Sequence, residues 1–194
     1  MSADAIFNVT QALTVRLEAA LAASAVPGTV FVGPLDDPDA SGAALILFLY
    51  RMMPNATLRN REHRVVNVAP PPQIIVHRDS LPLDLYYLIT VGTRAGQSEE
   101  PMLRALGYAI RELQTDPNLT GPGVDHETVH LSLEPMTTEE VSRVWALFPA
   151  ANYRTSMAYV ASPVWIDPAQ PPVQPADVIE DELRSAPGGV EGHA

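Results

Sequence analysis

The feature that most constrains the fold is an unbroken apolar block at residues 44–50, ALILFLY. It is far shorter than the roughly 20 residues that a membrane-spanning helix needs. In an extended chain its side chains alternate between two faces, and both faces would be apolar. The block therefore indicates a central strand covered on both sides, and it predicts an α/β fold in which helices flank a sheet.

Three helices are predicted from apolar residues that recur at intervals of three and four. The first covers residues 4–23. The second begins at Ser98 and ends before Asp116, with a buried stripe formed by Leu103, Leu106, Ile110 and Leu113. The third begins at the capping-box pattern of Thr137 and Glu140, and its core face is formed by Val141, Val144, Trp145 and Phe148.

Further strands are predicted at residues 29–32, 83–90, 129–133 and 156–166, and Pro163 marks an edge or a bulge in the last of them. Residues 62–79 contain two strand-like runs separated by three consecutive prolines, which predicts a long hairpin that protrudes as a flap. The expected fold class is α/β (α+β), with a single mixed, largely antiparallel sheet flanked by helices.

The 194 residues fit one domain, which we expect to span residues 1–167. Residues 168–194 are rich in proline and acidic side chains and are predicted to form a flexible tail. The absence of cysteine excludes disulfides, thiolate metal sites and cysteine nucleophiles. The first residues lack the basic flank and apolar run of a signal peptide, which predicts a cytosolic protein.

The formal net charge of −11 argues against nucleic-acid binding, which depends on clustered basic side chains. No run of apolar residues is long enough to predict membrane insertion. Basic residues nevertheless concentrate around the hairpin, and the candidate partner-contact residues are Arg59, Arg61, Arg64 and Arg78. They could complement an acidic partner surface, whereas the alternative is a hairpin whose charges are only solvated.

The sharpest catalytic pattern is His126-Glu127-Thr128-Val129-His130, which matches the H-E-x-x-H signature of zinc metalloproteases. That chemistry requires a helix, because only there do residues four apart converge on one ion. The alternating apolar residues that follow instead predict a strand, in which four residues span roughly 13 Å. We therefore expect no zinc site at this motif.

Other catalytic patterns are weaker. The sequence contains neither a P-loop nor a Gly-x-Ser-x-Gly elbow. His63, His77 and His193 are isolated in polar segments and are predicted to lie on the surface, and Asp84 is predicted to point away from its apolar neighbours without a catalytic role. The sequence thus predicts a protein that is not an enzyme, with no catalytic residues, no metal and no cofactor.

Four segments, taken in order, resemble one known family. They are LFLYRMMPNATLRN at residues 47–60, LPLDLYYLIT at 81–90, MLRALGYAIRELQTDPNLT at 102–120, and residues 131–166, which contain LEPMTTEEVSRVWALF. The chain resembles the tail-terminator, or cap, proteins of extracellular contractile injection systems, the phage-tail-like particles of the antifeeding-prophage and Photorhabdus virulence-cassette type. Residues 62–79 depart from the family pattern, being longer and more apolar than expected.

The resemblance implies a phage tail-terminator-like fold and a structural function. Such proteins form a ring, generally a hexamer, that closes the distal end of the inner tube and anchors the last layer of the sheath. The implied partners are therefore further copies of the chain, the sheath subunit and the inner-tube subunit. The implied location is the bacterial cytoplasm, followed by incorporation into the assembled particle.

A terminator must present exposed edges or arms to its neighbours, and we expect the hairpin and the last strand to provide them. The competing hypothesis is a soluble adaptor or chaperone-like binding protein that recruits a partner through its Pro-rich tail. A monomer with tail-dependent binding would favour this second hypothesis.

Overall fold

The computed structural model describes residues 3–67, 73–92 and 98–169. Within these ranges the helices are α1 (Ala5–Ser24), α2 (Glu100–Thr115) and α3 (Thr138–Trp145). The strands are β1 (Val30–Val32), β2 (Leu45–Pro54), β3 (His63–Asn67), β4 (Gln73–His77), β5 (Leu81–Val91), β6 (Asn118–Leu119), β7 (Val129–Glu134) and β8 (Ser156–Ile166).

Six strands form one sheet in the order β1-β2-β5-β8-β7-β6, and β3 and β4 form a separate two-stranded sheet. Only β1 and β2 are parallel; every other neighbouring pair is antiparallel. The predicted mixed, largely antiparallel sheet flanked by helices is confirmed. Among the residues in the described ranges, no helix combines the length and apolarity needed to cross a membrane.

Strand β2 lies inside the sheet, and the alternation of its side chains divides the core into two layers. Leu45 and Leu47 pack with α1 and α2 in the larger apolar cluster. Ile46 points to the opposite face and packs with Trp145 of α3 in the smaller cluster. The prediction drawn from residues 44–50 is confirmed, because apolar side chains on both faces require cover on both faces.

Helices α1 and α3 form where the periodicity predicts them. At the start of α3, Glu140 donates its backbone N–H to the Thr137 hydroxyl and accepts from the Thr137 backbone N–H, so the capping box is complete. In α2 the predicted stripe is rotated, since Leu103 is exposed and Ile110 is half-buried. The buried residues of this helix are Met102, Ala105, Leu106, Ala109 and Leu113. Small alanines allow close helix packing here, which a search for large apolar residues misses.

The last strand, β8, occupies the interior of the sheet between β5 and β7. The pairing register of β5 and β8 shifts between Leu83 and Leu85, opposite Ser162 and Pro163. Pro163 therefore lies at a bulge of an interior strand, which is one of the two positions that the sequence predicts for it. Because both of its edges are paired, β8 cannot serve as an exchanged arm, and that part of the arm prediction is wrong.

The hairpin predicted within residues 62–79 is present as β3 and β4, which pair from His63 opposite His77 to Asn67 opposite Gln73. The three prolines lie in the connection, which falls outside the described residues. The predicted flexible tail also lies outside them from residue 170 onward. We call the end of the hairpin at His63 and His77 its root. At this root, His63 contacts side chains of the main domain.

Candidate functional site

The four candidate arginines surround the root of the hairpin. Arg59 and Arg61 lie in the turn between β2 and β3, Arg64 lies on β3, and Arg78 directly follows β4; all four side chains are exposed. Arg64 pairs with Glu62 at 3.1 Å. A residue that contacts a partner must be exposed, and all four arginines meet this requirement.

A buried polar cluster joins this root to the main sheet. The His63 ring nitrogens contact two carboxylates: Nδ1 lies 2.7 Å from Asp167 Oδ1, and Nε2 lies 3.0 Å from Glu127 Oε2. The side chain of His63 is only 6% exposed, and those of Glu127 and Asp167 are 11% and 9% exposed. We refer to His63, Glu127 and Asp167 as the histidine clamp. Each ring nitrogen of His63 therefore lies at hydrogen-bond distance from one carboxylate oxygen.

Neighbouring side chains fix the geometry of the clamp. The His63 ring stacks on Trp165 with centroids 4.7 Å apart and planes 10° apart. Ser80 donates its hydroxyl to Asp167 Oδ1 at 2.7 Å. His77 stacks on the other side of His63 at 5.8 Å, and its Nε2 lies 3.9 Å from Asp167 Oδ2. Four segments, at residues 63, 77–80, 127 and 165–167, therefore meet at one point.

Two effects oppose each other at Asp167. Burial favours the neutral carboxyl group, but hydrogen bonds to the carboxylate, among them those from Ser80 and His63, outweigh burial. The pKa of Asp167 is therefore lowered from its ordinary value of 3.8. The carboxylate is charged at neutral pH, as the clamp requires.

The predicted surface position of His63 is wrong, because the residue is 5% exposed. His77 is half-buried, and His193 lies outside the described residues. In the sequence, His63 is flanked by Glu62 and Arg64, a context typical of a solvated loop. Its carboxylate partners are 64 and 104 residues away, so no local pattern could reveal them.

The H-E-x-x-H motif does not form a helix. His126 and Glu127 lie in the turn before β7, with His126 at a left-handed φ of 60°, and Val129 and His130 lie on the strand. The strand therefore begins at Val129, the fourth residue of the motif. His130 is hydrogen-bonded to Asn118, whereas Glu127 belongs to the clamp. The helical geometry of a metalloprotease site is not formed.

The clamp residues also have the chemistry of metal ligands. One atom from each of His63, Glu127 and Asp167 lies within 4.8 Å of the others. The two carboxylates, however, approach opposite nitrogens of the same imidazole. An ion bound to one nitrogen would displace one carboxylate contact and leave the other on the far side of the ring. The side chains are therefore arranged around the two sides of the imidazole ring.

Asp84 lies opposite the apolar side of β5, as predicted. It is half-buried and accepts hydrogen bonds from Asn55 Nδ2 at 2.9 Å and from Ser162 Oγ at 2.5 Å. These contacts connect the end of β2 to the bulge of β8. The residue has a structural role that its polar position in the strand did not reveal.

Comparison of the fold with solved structures identifies terminator proteins. The chain is similar to the sheath/tube terminator of an extracellular contractile injection system, PVC, solved in the extended state, with a TM-score of 0.61 and 18% identity over 97% of this chain. It is also similar to the tube-terminating cap of the anti-feeding prophage, with a TM-score of 0.54 and 16% identity over 84% of this chain. The matches span 64% and 56% of those longer chains.

The fold is thus of the tail-terminator class. Residues 8–179 match the Pvc16 N-terminal domain, and the chain belongs to this family. No curated protein matches the chain in sequence. The family resemblance drawn from the four sequence segments is confirmed.

Proposed function

We propose that the chain is a structural terminator subunit that closes the inner tube of a contractile injection system and anchors the last layer of its sheath. The observation that supports this most strongly is the family match over residues 8–179. The fold similarity to a sheath/tube terminator over 97% of the chain adds to it. The role requires no cofactor and no catalysis.

In this proposal the subunits form a ring of six, and each contacts a sheath subunit and an inner-tube subunit. Nucleic acid and membrane are not partners, which is in keeping with the net charge of −11. The subunit is made in the bacterial cytoplasm and leaves it only as part of the particle. Residues 1–167 are the assembling domain, and residues 168–194 are a tail that assembly does not need.

The contact surface that we assign to this function is the hairpin and the arginines at its root. Arg59, Arg61, Arg64 and Arg78 are exposed on a chain whose overall charge is acidic. Such a local excess of positive charge steers and orients an acidic partner surface. The paired strand β8 has no free edge, so the hairpin alone is proposed as the arm.

The decisive experiment mixes the purified chain with sheath and inner-tube subunits and examines the particles by negative-stain microscopy, with mass photometry of the chain alone. End-capped tubes of uniform length are expected. A monomer that ignores both subunits would contradict the proposal. If that monomer bound another protein only through residues 168–194, the adaptor hypothesis would replace it.

Charge reversal tests the contact surface. We expect Arg59→Glu combined with Arg61→Glu to reduce capping, because like charges across an interface repel. The matched control is Arg104→Glu combined with Arg111→Glu, two exposed positions on α2. Equal capping by both double variants, with unchanged circular dichroism, would remove the arginines from the proposed interface.

A further inference from the structure

The C-terminal residues leave the domain at the root of the hairpin. Asp167, which directly follows β8, lies 2.7 Å from the Nδ1 atom of His63. Two residues later, Ala169 lines the same cavity as His77, the last residue of β4. Residues 170–194 therefore start beside the hairpin.

The four arginines at this root, Arg59, Arg61, Arg64 and Arg78, are exposed, and we refer to them as the arginine surface. Among the described residues, only Arg64 of the four forms an ion pair, with Glu62 at 3.1 Å. Most of the positive charge of this surface is therefore available to an acidic ligand.

An apolar side chain accompanies the arginines. Arg64 lies opposite Val76 in the hairpin register, and cross-strand partners point to the same face. Ile74 lies two residues before Val76, so it shares that face with Arg64. Ile74 is 50% exposed. A ligand that complements this surface would combine carboxylates with a small number of apolar residues.

The tail contains a segment of that composition. Residues 177–182, with the sequence DVIEDE, hold four carboxylates, no basic residue, and the apolar side chains of Val178 and Ile179. We call these residues the acidic segment. Their charges and their apolar pair match the arginine surface and Ile74 in kind.

The tail is long enough to bring the two together. Eight residues separate position 169 from position 177, and a proline-rich chain extends about 3.1 Å per residue, so the reach is about 25 Å. Arg64 and Arg78 directly follow His63 and His77, which places their Cα atoms about 3.8 Å from those of the residues where the tail starts its course. The acidic segment can therefore reach the arginine surface without strain.

The charges also indicate where the segment does not bind. The cavity beside Ala169 is lined by the carboxylates of Asp125, Glu127 and Asp167, which would repel it. The attractive surface is the outward-facing one that the arginines form. An exposed ion pair contributes only about 0.2–1 kcal/mol, but a tethered ligand acts at an effective concentration in the millimolar range, so weak pairs suffice within one chain.

We propose that the acidic segment docks on the arginine surface of its own chain and covers that surface until an acidic partner displaces it. The contact is a property of the isolated chain. Only its consequence, competition between the tail and a partner for the same arginines, rests on the proposed function. The tail then holds assembly back, although assembly does not need it.

A spin label in the full-length chain tests the contact. Because the chain has no cysteine, Ser185→Cys provides a single attachment point three residues after the acidic segment. Backbone amides at residues 59–64 and 74–78 should show strong paramagnetic relaxation in nuclear magnetic resonance spectra. Amides of α2, where Arg104 and Arg111 are also exposed, should not.

The matched control keeps the length of the tail and removes its charge. It carries Asp177→Asn, Glu180→Gln, Asp181→Asn and Glu182→Gln with the same label. Relaxation at the hairpin should fall by about threefold or more, since only the ion pairs are lost. Equal relaxation in the two chains would overturn the proposal, and these changes lie outside the folded domain that the structure describes.

Two further measurements locate the contact. Arg59→Glu combined with Arg61→Glu should weaken it, whereas Arg104→Glu combined with Arg111→Glu should leave it intact; equal effects would contradict docking on the arginine surface. Spin-labelled chain is also mixed with isotope-labelled chain that lacks the cysteine. Relaxation transferred to the second chain would show that the tail docks on another copy and would overturn the proposal.

The tail contact and the terminator function fail separately. A chain that caps tubes but shows no relaxation at the hairpin contradicts the contact alone, and a chain with the contact that never caps tubes contradicts the function alone. If both hold, the chain with the neutralised tail should cap tubes at a lower concentration than the parent. Capping at the same concentration would contradict the competition.

Discussion

The guanidinium of Arg51 lies 3.8 Å from the centre of the Tyr86 ring, across the face of the sheet. The same side chain approaches Glu134 of β7 at 3.6 Å, so a single residue connects β2, β5 and β7 on that face. The contact is half-exposed, where a cation–π pair contributes about 0.5–1 kcal/mol. It joins the neighbouring strands β2 and β5, and it also reaches β7, which pairs with neither of them.

We expect Arg51→Gln to lower the free energy of unfolding by about 0.5–1 kcal/mol, because it removes the cation above Tyr86. Urea unfolding followed by circular dichroism measures the change. Arg104→Gln is the control, since its guanidinium lies farther, 5.9 Å, from the Tyr108 ring. Equal losses in both variants would mean that the Tyr86 contact adds nothing.

A second prediction concerns Tyr87, which is fully buried beneath α1. Thr10 donates its hydroxyl to the Ile6 carbonyl, so the 2.8 Å contact between Thr10 and Tyr87 has tyrosine as the donor. Burial raises the pKa of Tyr87 to about 12, although the hydrogen bond to Thr10 acts in the opposite direction. Tyr87→Phe should cost about 1 kcal/mol, as measured by thermal or urea unfolding. A variant as stable as the parent would show that the hydrogen bond contributes nothing net.

Two glycines should respond to alanine in opposite directions. A Cβ on Gly92 would lie 1.9 Å from the Ala43 carbonyl oxygen, and Gly92 also donates its backbone N–H to Ala44. Gly92→Ala must separate these backbones and should destabilise the chain by several kcal/mol, on the order of ~3. Gly107 lies in α2 with open space around it, so Gly107→Ala should stabilise by about 0.5–1 kcal/mol. A rise in melting temperature for Gly92→Ala would refute the close packing.

Acid should weaken the domain through Asp167. Its pKa is lowered in the folded state, so its contribution to stability is complete above the ordinary value near 3.8 and is lost as the pH falls through the lower folded value. Asp167→Asn removes this contribution and should make unfolding less dependent on pH below about 4. The free energy of unfolding of both proteins, measured in urea over that range, tests this; parallel pH profiles would contradict it.

The capping box of α3 gives a last, local prediction. Thr137→Ala removes the acceptor of the Glu140 backbone N–H and should cost about 1 kcal/mol. Thr138→Ala, one residue later, lies outside the cap and is the control. Since α3 covers the smaller apolar cluster, Trp145 fluorescence should report the change first.

Local sequence determined where the helices and most strands form, and it determined that β2 is packed against apolar side chains on both faces. Periodicity of 3.6 or 2 residues and the caps are properties of neighbouring positions, so residues 44–50, Thr137 and Glu140 could be interpreted without a structure. The family resemblance likewise rested on segments in order along the chain. The stripe of α2 was mistaken where alanines, rather than large residues, made the contact.

Only the tertiary structure decided the order of the strands and the histidine clamp. Strand β8 is interior because it pairs with β5 on one side and β7 on the other. The sequence pattern of a strand does not specify which other strands it pairs with. His63, Glu127 and Asp167 each occupy the end of a different element, and the fold brings their side chains within 3.0 Å contacts. Burial makes these three polar side chains depend on one another, because the energy of a polar or charged group depends on what surrounds it in space rather than in sequence.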